Sequence, residues 1–269
     1  MSEVLSNSAG RALGSIISKT RNLKVCGYST YTKLFNTGVL PILLYCSGVW
    51  GAKSYKTENI RYRASRYFLG LNKYAPLHAV HGDMGWRSIS VELRLNVLRL
   101  WNKLIRMKDD RIPKKIFSWE YDLGINSWCS EVEQIFSDIN CHDVFMNKRE
   151  CSIDDCCTKL ELDYEEEWNR GRQVKSKLHL YNIFKLDCKV DKYVLNCNKM
   201  MRSHIAQFRS GILPLNVETG RHNKVERKDR ICKFCSMQET EDEIHFLCKC
   251  PLYVDCRKVL FDIVKTINL

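Results

Sequence analysis

The sequence predicts a mainly α protein, because apolar residues recur at helical spacing in segment after segment and strand-like alternation is scarce. Apolar residues make up 45% of the 269-residue chain, enough for a buried core. Residues 4–24 set Val4, Leu5, Leu13, Ile16 and Ile17 at helical intervals. A second helix is expected to start near Tyr31, capped by Ser29 or Thr30, and to carry Leu34, Phe35, Val39, Leu40, Leu43 and Leu44. Pro41 lacks a backbone donor, so a kink or break is expected there. Residues 55–72 put Ile60, Ala64, Tyr67, Phe68 and Leu71 on one face and Arg61, Arg63 and Arg66 on the other. Pro76, Gly82 and Gly85 mark 70–85 as a loop, in which His78 and His81 read as ordinary polar residues.

A long amphipathic helix is expected over 89–108, started by Ser88 or Ser90 with Glu92 nearby. Residues 125–150 give a weaker helical pattern around Val132, Ile135, Phe136 and Ile139. The acidic run 161–170 turns basic through Lys177, 178–210 reads as two helices, and 213–220 as a turn-like link. Trp50, Trp86 and Trp101 fit core anchors. Three parts are expected: 1–115, 116–210 and 211–269, the main boundary falling after IPKK at 112–115.

Lys and Arg outnumber Asp and Glu by 43 to 31, a formal net charge of +12, which favours polyanionic partners. Glu3 and the absence of an apolar h-region argue against a signal peptide at the N-terminus. The longest apolar stretch, 38–50, is short for a bilayer span and contains Pro41. The expectation is an intracellular protein, cytoplasmic or nuclear, not secreted and without a membrane partner. In a reducing compartment its cysteines are thiols or metal ligands rather than disulfides.

The strongest chemical signal lies near the C-terminus. Cys232 and Cys235 are separated by two residues, His245 follows after nine, and Cys250 after four more. Two cysteines at that spacing can turn back on one ion, and a histidine and a third cysteine complete a tetrahedral set of three sulfurs and one nitrogen for zinc. Cys248 is an alternative to Cys250. With every position filled by protein, the site is structural rather than catalytic. Phe234 and Phe246 could form a very small core around the ion, and 239–243 reads as a solvated acidic loop and helix start. Upstream, Arg221, Lys224, Arg227, Lys228 and Arg230 form a basic flank suited to phosphate contacts, or else a solvated linker.

The run RICKFCSMQETEDEIHFLCKCPLYVDCR (230–257) resembles the zinc-binding segment at the C-terminus of non-LTR (LINE-type) retrotransposon reverse transcriptases, as does AQFRSGILPLNVETGR (206–221). TYTKLFNTGVLPILLYCSGVWG (30–51), RASRYFLGLNKYAPLHAVHGDMGW (63–86) and LRLWNKLIRM (98–107) resemble that family's thumb region. The resemblance implies a helical thumb-like region, then connecting helices, then a small CCHC zinc knuckle. It implies contacts to RNA or DNA backbone without strong sequence preference, with Arg61, Arg63 and Arg66 as candidates beside the basic flank.

The family's palm holds two metal ions on an aromatic-x-Asp-Asp hairpin, with one residue between the aromatic and the acidic pair. Asp109-Asp110 and Asp154-Asp155 lack that context and read as surface acids. No polymerase or nuclease activity is therefore expected. The chain reads as a non-catalytic, zinc-stabilised nucleic-acid-binding fragment, or alternatively as a helical protein-interaction module or an inert relic.

Overall fold

The computed structural model describes residues 2–23, 26–51, 57–124 and 127–267, and the chain is mainly α. α1 (Ser2–Arg21) buries Ala9 and Leu13, one turn apart, and places Glu3 and Lys19/Arg21 where they complement the helix dipole. α2 (Tyr28–Gly38) and α3 (Leu40–Leu43) are separated at Val39, and Pro41 falls in the first turn of α3, where a missing N–H costs nothing. The break expected at Pro41 is thus present two residues earlier. α4 (Ser47–Trp50) is a single turn, and α5 (Glu58–Leu69) stops at Gly70, whose φ of 69° admits the tight C-terminal turn. Ser203 packs where a Cβ at Gly70 would sit, so glycine also permits the close approach of the later chain.

The segment expected as a loop contains α6 (Leu77–Met84), which begins behind Pro76 and ends at Gly85, φ 59°. α7 (Ile89–Ile105) is capped as the sequence predicts: Ser88 Oγ accepts from the Ser90 N–H at 3.2 Å. α8 (Ile112–Leu123) runs through the boundary expected after residue 115. The pattern around 125–150 becomes α9 (Trp128–Asp138), capped by Ser127, and α10 (His142–Met146). The acidic-to-basic run is the body of α11 (Ile153–Gln173), with Asp154 and Asp155 in its first turn and Arg170 and Arg172 in its last. Two helices expected over 178–210 are three, α12 (His179–Phe184), α13 (Lys192–Asn196) and α14 (Lys199–Arg209). The turn-like link at 213–220 gives way to α15 (Asn216–His222), and α16 (Val254–Ile267) closes the chain.

Trp101 on α7 is fully buried among Phe117, Phe136 and Phe145, with ring centroids 5.3–5.6 Å away, and its indole N–H donates to Arg149 O at 2.9 Å. This cluster carries α7 into contact with α8–α11 across position 115. A second cluster joins Tyr31, Phe68, Val80 and Met84 to Val194, Ala206 and Ile212, so the N-terminal helices also pack on α13 and α14. Arg202 reinforces that seam by donating from Nε to Phe68 O at 3.0 Å while its guanidinium lies 3.7 Å over the Phe68 ring. Among the described residues no helix is long and apolar enough to cross a membrane.

A buried polar clasp holds the same seam. Asp83 on α6 is enclosed, and Arg209 of α14 lies 3.1 Å from it and 2.6 Å from Asp191. Tyr193 OH donates to the second oxygen of Asp83 at 2.6 Å, and Lys185 approaches Asp191 at 3.4 Å. Removing one member of such a network leaves a buried charge without its partner, which costs more than the intact pair contributes. Asp83→Ala is therefore expected to lower stability by about 3–5 kcal/mol in urea unfolding. A loss under about 1 kcal/mol would show that Asp191, 2.6 Å from Arg209, keeps the guanidinium paired on its own.

Candidate metal centre

The C-terminal segment owes its shape to two unusual turns. Ile231 and Thr240 form an antiparallel bridge, flanked by Cys232 N–H to Glu239 O and Glu241 N–H to Arg230 O, both 2.9 Å. The chain between them reverses with Gln238 at φ 57°, which brings Cys235 back beside Cys232. Asp242 then starts a helical turn: its carboxylate accepts the His245 N–H and its carbonyl the Phe246 N–H, each at 2.9 Å. From His245 to Lys249 the backbone is π-helical, and the Cys250 N–H bonds to His245 O at 2.8 Å.

That wide turn decides which cysteine joins the histidine. In an α-helix the residue three after His245 would share its face and the residue five after would not. The i→i+5 bond reverses this and returns Cys250 to the histidine. Cys250 is fully buried in the cluster, whereas Cys248 faces solvent. The cluster that could hold an ion therefore contains Cys250 and not Cys248.

The ligand atoms of Cys232, Cys235, His245 and Cys250 all lie within 4.8 Å of one another, with Cys235 Sγ 3.5 Å from His245 Nε2. A tetrahedral ion with metal–sulfur bonds of about 2.3 Å and a metal–nitrogen bond of about 2.0 Å has ligand–ligand edges of roughly 3.5–3.8 Å. The cluster could hold a metal ion of this kind. Burial pushes the Cys232 thiol up from its ordinary value, so without a cation the sulfur keeps its proton. A bound metal would displace that proton and hold the thiolate.

The imidazole is oriented from behind. Its Nδ1 faces Glu239 Oε2 at 3.3 Å, which leaves Nε2 for the metal, and Lys249 Nζ anchors the same carboxylate at 3.0 Å. These contacts, Lys249 first and then His245, hold the Glu239 carboxyl below its ordinary value. Phe246 packs edge-on against Tyr253 with centroids 4.8 Å apart, and Arg257 Nη2 donates to Cys250 O at 2.5 Å. Phe234 does not join this small core: it projects into solvent from the knuckle.

α15 is the platform on which the centre sits. The Asn216 N–H donates to Glu241 Oε2 at 2.9 Å, the Asn216 amide to Ile231 O at 2.7 Å, and the Val217 N–H to Glu241 O at 3.0 Å. Glu241 and Glu243 are buried, so the acidic run 239–243 is not the solvated loop that composition suggested. The carboxylate of Glu241 instead satisfies a free N–H at the start of α15.

The basic residues divide by environment. Arg61 is fully buried: its guanidinium donates to the carbonyls of Trp86 and Arg87 at 2.7 and 2.8 Å, pairs with Glu58 at 2.8 Å, and contacts His81 and Tyr164. The placement of Arg61 on the solvent face is corrected, and this side chain has no access to a phosphate. His81 is buried beside it; burial and the Arg61 charge keep the imidazole well below its ordinary value, hence neutral. Arg66 is half-buried, with its guanidinium 5.8 Å from the Tyr62 ring, and Arg63 is exposed.

In the flank, Arg230 turns inward to Val217 O and Val225 O, at 2.8 and 2.9 Å. Arg221, Lys224, Arg227 and Lys228 are exposed, although Arg221 pairs with Glu218, Arg227 with Asp242 and Lys228 with Glu226. Glu239 and Asp242 were not visible as functional residues in the sequence, where their one signal was proximity to His245.

No protein-family model, curated protein or solved structure matches this chain.

His245→Ala and Cys235→Ser are each expected to abolish stoichiometric metal in the purified protein, measured by elemental analysis, whereas Cys248→Ser retains it. Full metal loss in Cys248→Ser would reassign the fourth ligand.

Proposed function

We propose that this chain is a non-catalytic nucleic-acid-binding unit whose C-terminal segment is held by zinc. A donor set of three sulfurs and one imidazole suits zinc above the hard cations, and four protein ligands leave no open position for substrate. The reading rests chiefly on Arg221, Lys224, Arg227 and Lys228, which stand exposed just before the segment that the metal would order, within a chain of net charge +12. Such a patch recognises phosphate backbone by charge and counterion release rather than by base sequence. The resemblance to the thumb and zinc segment of LINE-type reverse transcriptases points to the same ligand class, RNA or DNA. A zinc-stabilised protein-interaction module is the second reading, favoured by Val259, Leu260 and Phe261, exposed on α16.

The test is a filter-binding titration against single-stranded RNA over a salt series. Tight binding at low salt with a steep log–log slope is expected. Converting Arg221, Lys224, Arg227 and Lys228 to Ala should lower that slope by roughly 2–3, at about 0.7 per phosphate contact on single strands. Arg61→Ala should act instead by destabilising the fold. Absence of binding at low salt, with metal present, would leave the interaction-module reading in place.

A further inference from the structure

α8 is amphipathic in the opposite sense to a fully docked helix, because it leaves an apolar seam uncovered. Phe117 is buried in the Trp101 cluster, Tyr121 packs against that cluster, and Lys114 donates to Leu104 O and Ile105 O at 3.0 and 3.2 Å. On the opposite side, Ile112, Ile116, Trp119 and Leu123 are 72, 52, 65 and 51% exposed. Scattered apolar residues on a surface are ordinary, but four in one continuous row are not. Their spacing of four, three and four residues is the seam of a helix that pairs with another helix through knobs and holes.

The charges beside the seam indicate which helix. Lys115 and Asp122 lie on the same flank, near opposite ends of α8. A two-fold axis perpendicular to the helix and in the plane of contact keeps like flanks together and reverses their direction. It sets Lys115 of one copy beside Asp122 of the other, twice. Both side chains are exposed, and the intramolecular contact of Asp122 is a loose one, 3.7 Å from Lys148. Antiparallel pairing also opposes the two helix dipoles favourably.

We propose that two copies of this chain associate through α8, antiparallel about a two-fold axis, with Ile112, Ile116, Trp119 and Leu123 as the apolar seam and Lys115–Asp122 as the reciprocal ion pair. A seam of four residues is smaller than a standard protein interface, so the dimer is a weak, concentration-dependent one. It lies on a different element from the metal centre and does not depend on how that centre is used.

Sedimentation velocity of the nuclease-treated full chain over a concentration series tests it. A reversible monomer–dimer equilibrium in the micromolar range is expected. Ile116→Glu, at an exposed position, should weaken association by at least about tenfold while leaving the circular dichroism spectrum unchanged. Lys115→Glu should weaken it too, and adding Asp122→Lys in the same chain should restore it. A monomer at every concentration, or a dimer indifferent to Ile116→Glu, overturns the proposal. Rescue of Lys115→Glu by Glu120→Lys in place of Asp122→Lys overturns the antiparallel arrangement.

Discussion

Three thiol sulfurs and one imidazole nitrogen lie within 4.8 Å of each other, largely shielded from solvent and with only weak mutual hydrogen bonds such as Cys235 Sγ–His245 Nε2 at 3.5 Å. Thiols are weak donors and weak acceptors, and as thiolates they would repel one another. A single cation would resolve both problems, and the backbone from Arg230 to Cys250 brings the four atoms together. The magnitudes rank the forces. A structural zinc contributes on the order of 10 kcal/mol in small peptides, whereas each backbone hydrogen bond around it nets only about 1 kcal/mol. If the four atoms hold an ion, the short antiparallel bridge and the π turn are shapes that coordination would sustain rather than shapes that create the site. The Phe246–Tyr253 contact is too small a core to hold them alone.

The centre is nonetheless not a bead on a string. Glu241 accepts from the Asn216 and Val217 N–H groups at the start of α15, the Asn216 amide donates to Ile231 O, and Lys177 pairs with Glu218 on the same helix. α14, a few residues upstream, is fastened to α5 and α6 through Arg202 and Arg209. Cluster, platform and helical body form one connected series, and the exposed part of the basic flank runs from the last turn of α15 toward the cluster. In the proposed function, this series fixes the positions of Arg221, Lys224, Arg227 and Lys228 before any phosphate arrives, which reduces the ordering cost of binding.

Much of this was legible in the sequence, because the informative residues are close together along the chain. The four ligands span 232–250, and the apolar period of α7 and its Ser88 cap are local patterns. What escaped were features set by distant partners. α6 was hidden by Pro76, Gly82 and Gly85, which punctuate a loop on composition; here Pro76 and Gly85 bound a helix that α11, α12 and α14 enclose, and Gly82 lies inside it against Trp168 and Tyr181. Arg61 looked like a surface charge, yet it shares a face with Ala64, Ser65 and Phe68, all buried, and the carbonyls that receive it are 25 and 26 residues away. The spacing put Cys250 in the set with Cys248 as an alternative, but the π turn that brings Cys250 to the histidine is announced by no spacing rule. The buried role of Glu241 depended on an unsatisfied N–H at the start of α15, itself unseen.

The most direct measurement of the central claim is hydrogen–deuterium exchange of the metal-loaded chain before and after chelation, resolved by peptide. If coordination sustains the C-terminal fold, chelation removes protection across 230–253 while α7, around Trp101, keeps its own. Unchanged protection at 230–253 after the metal is gone would contradict the claim, as would a simultaneous loss in α7.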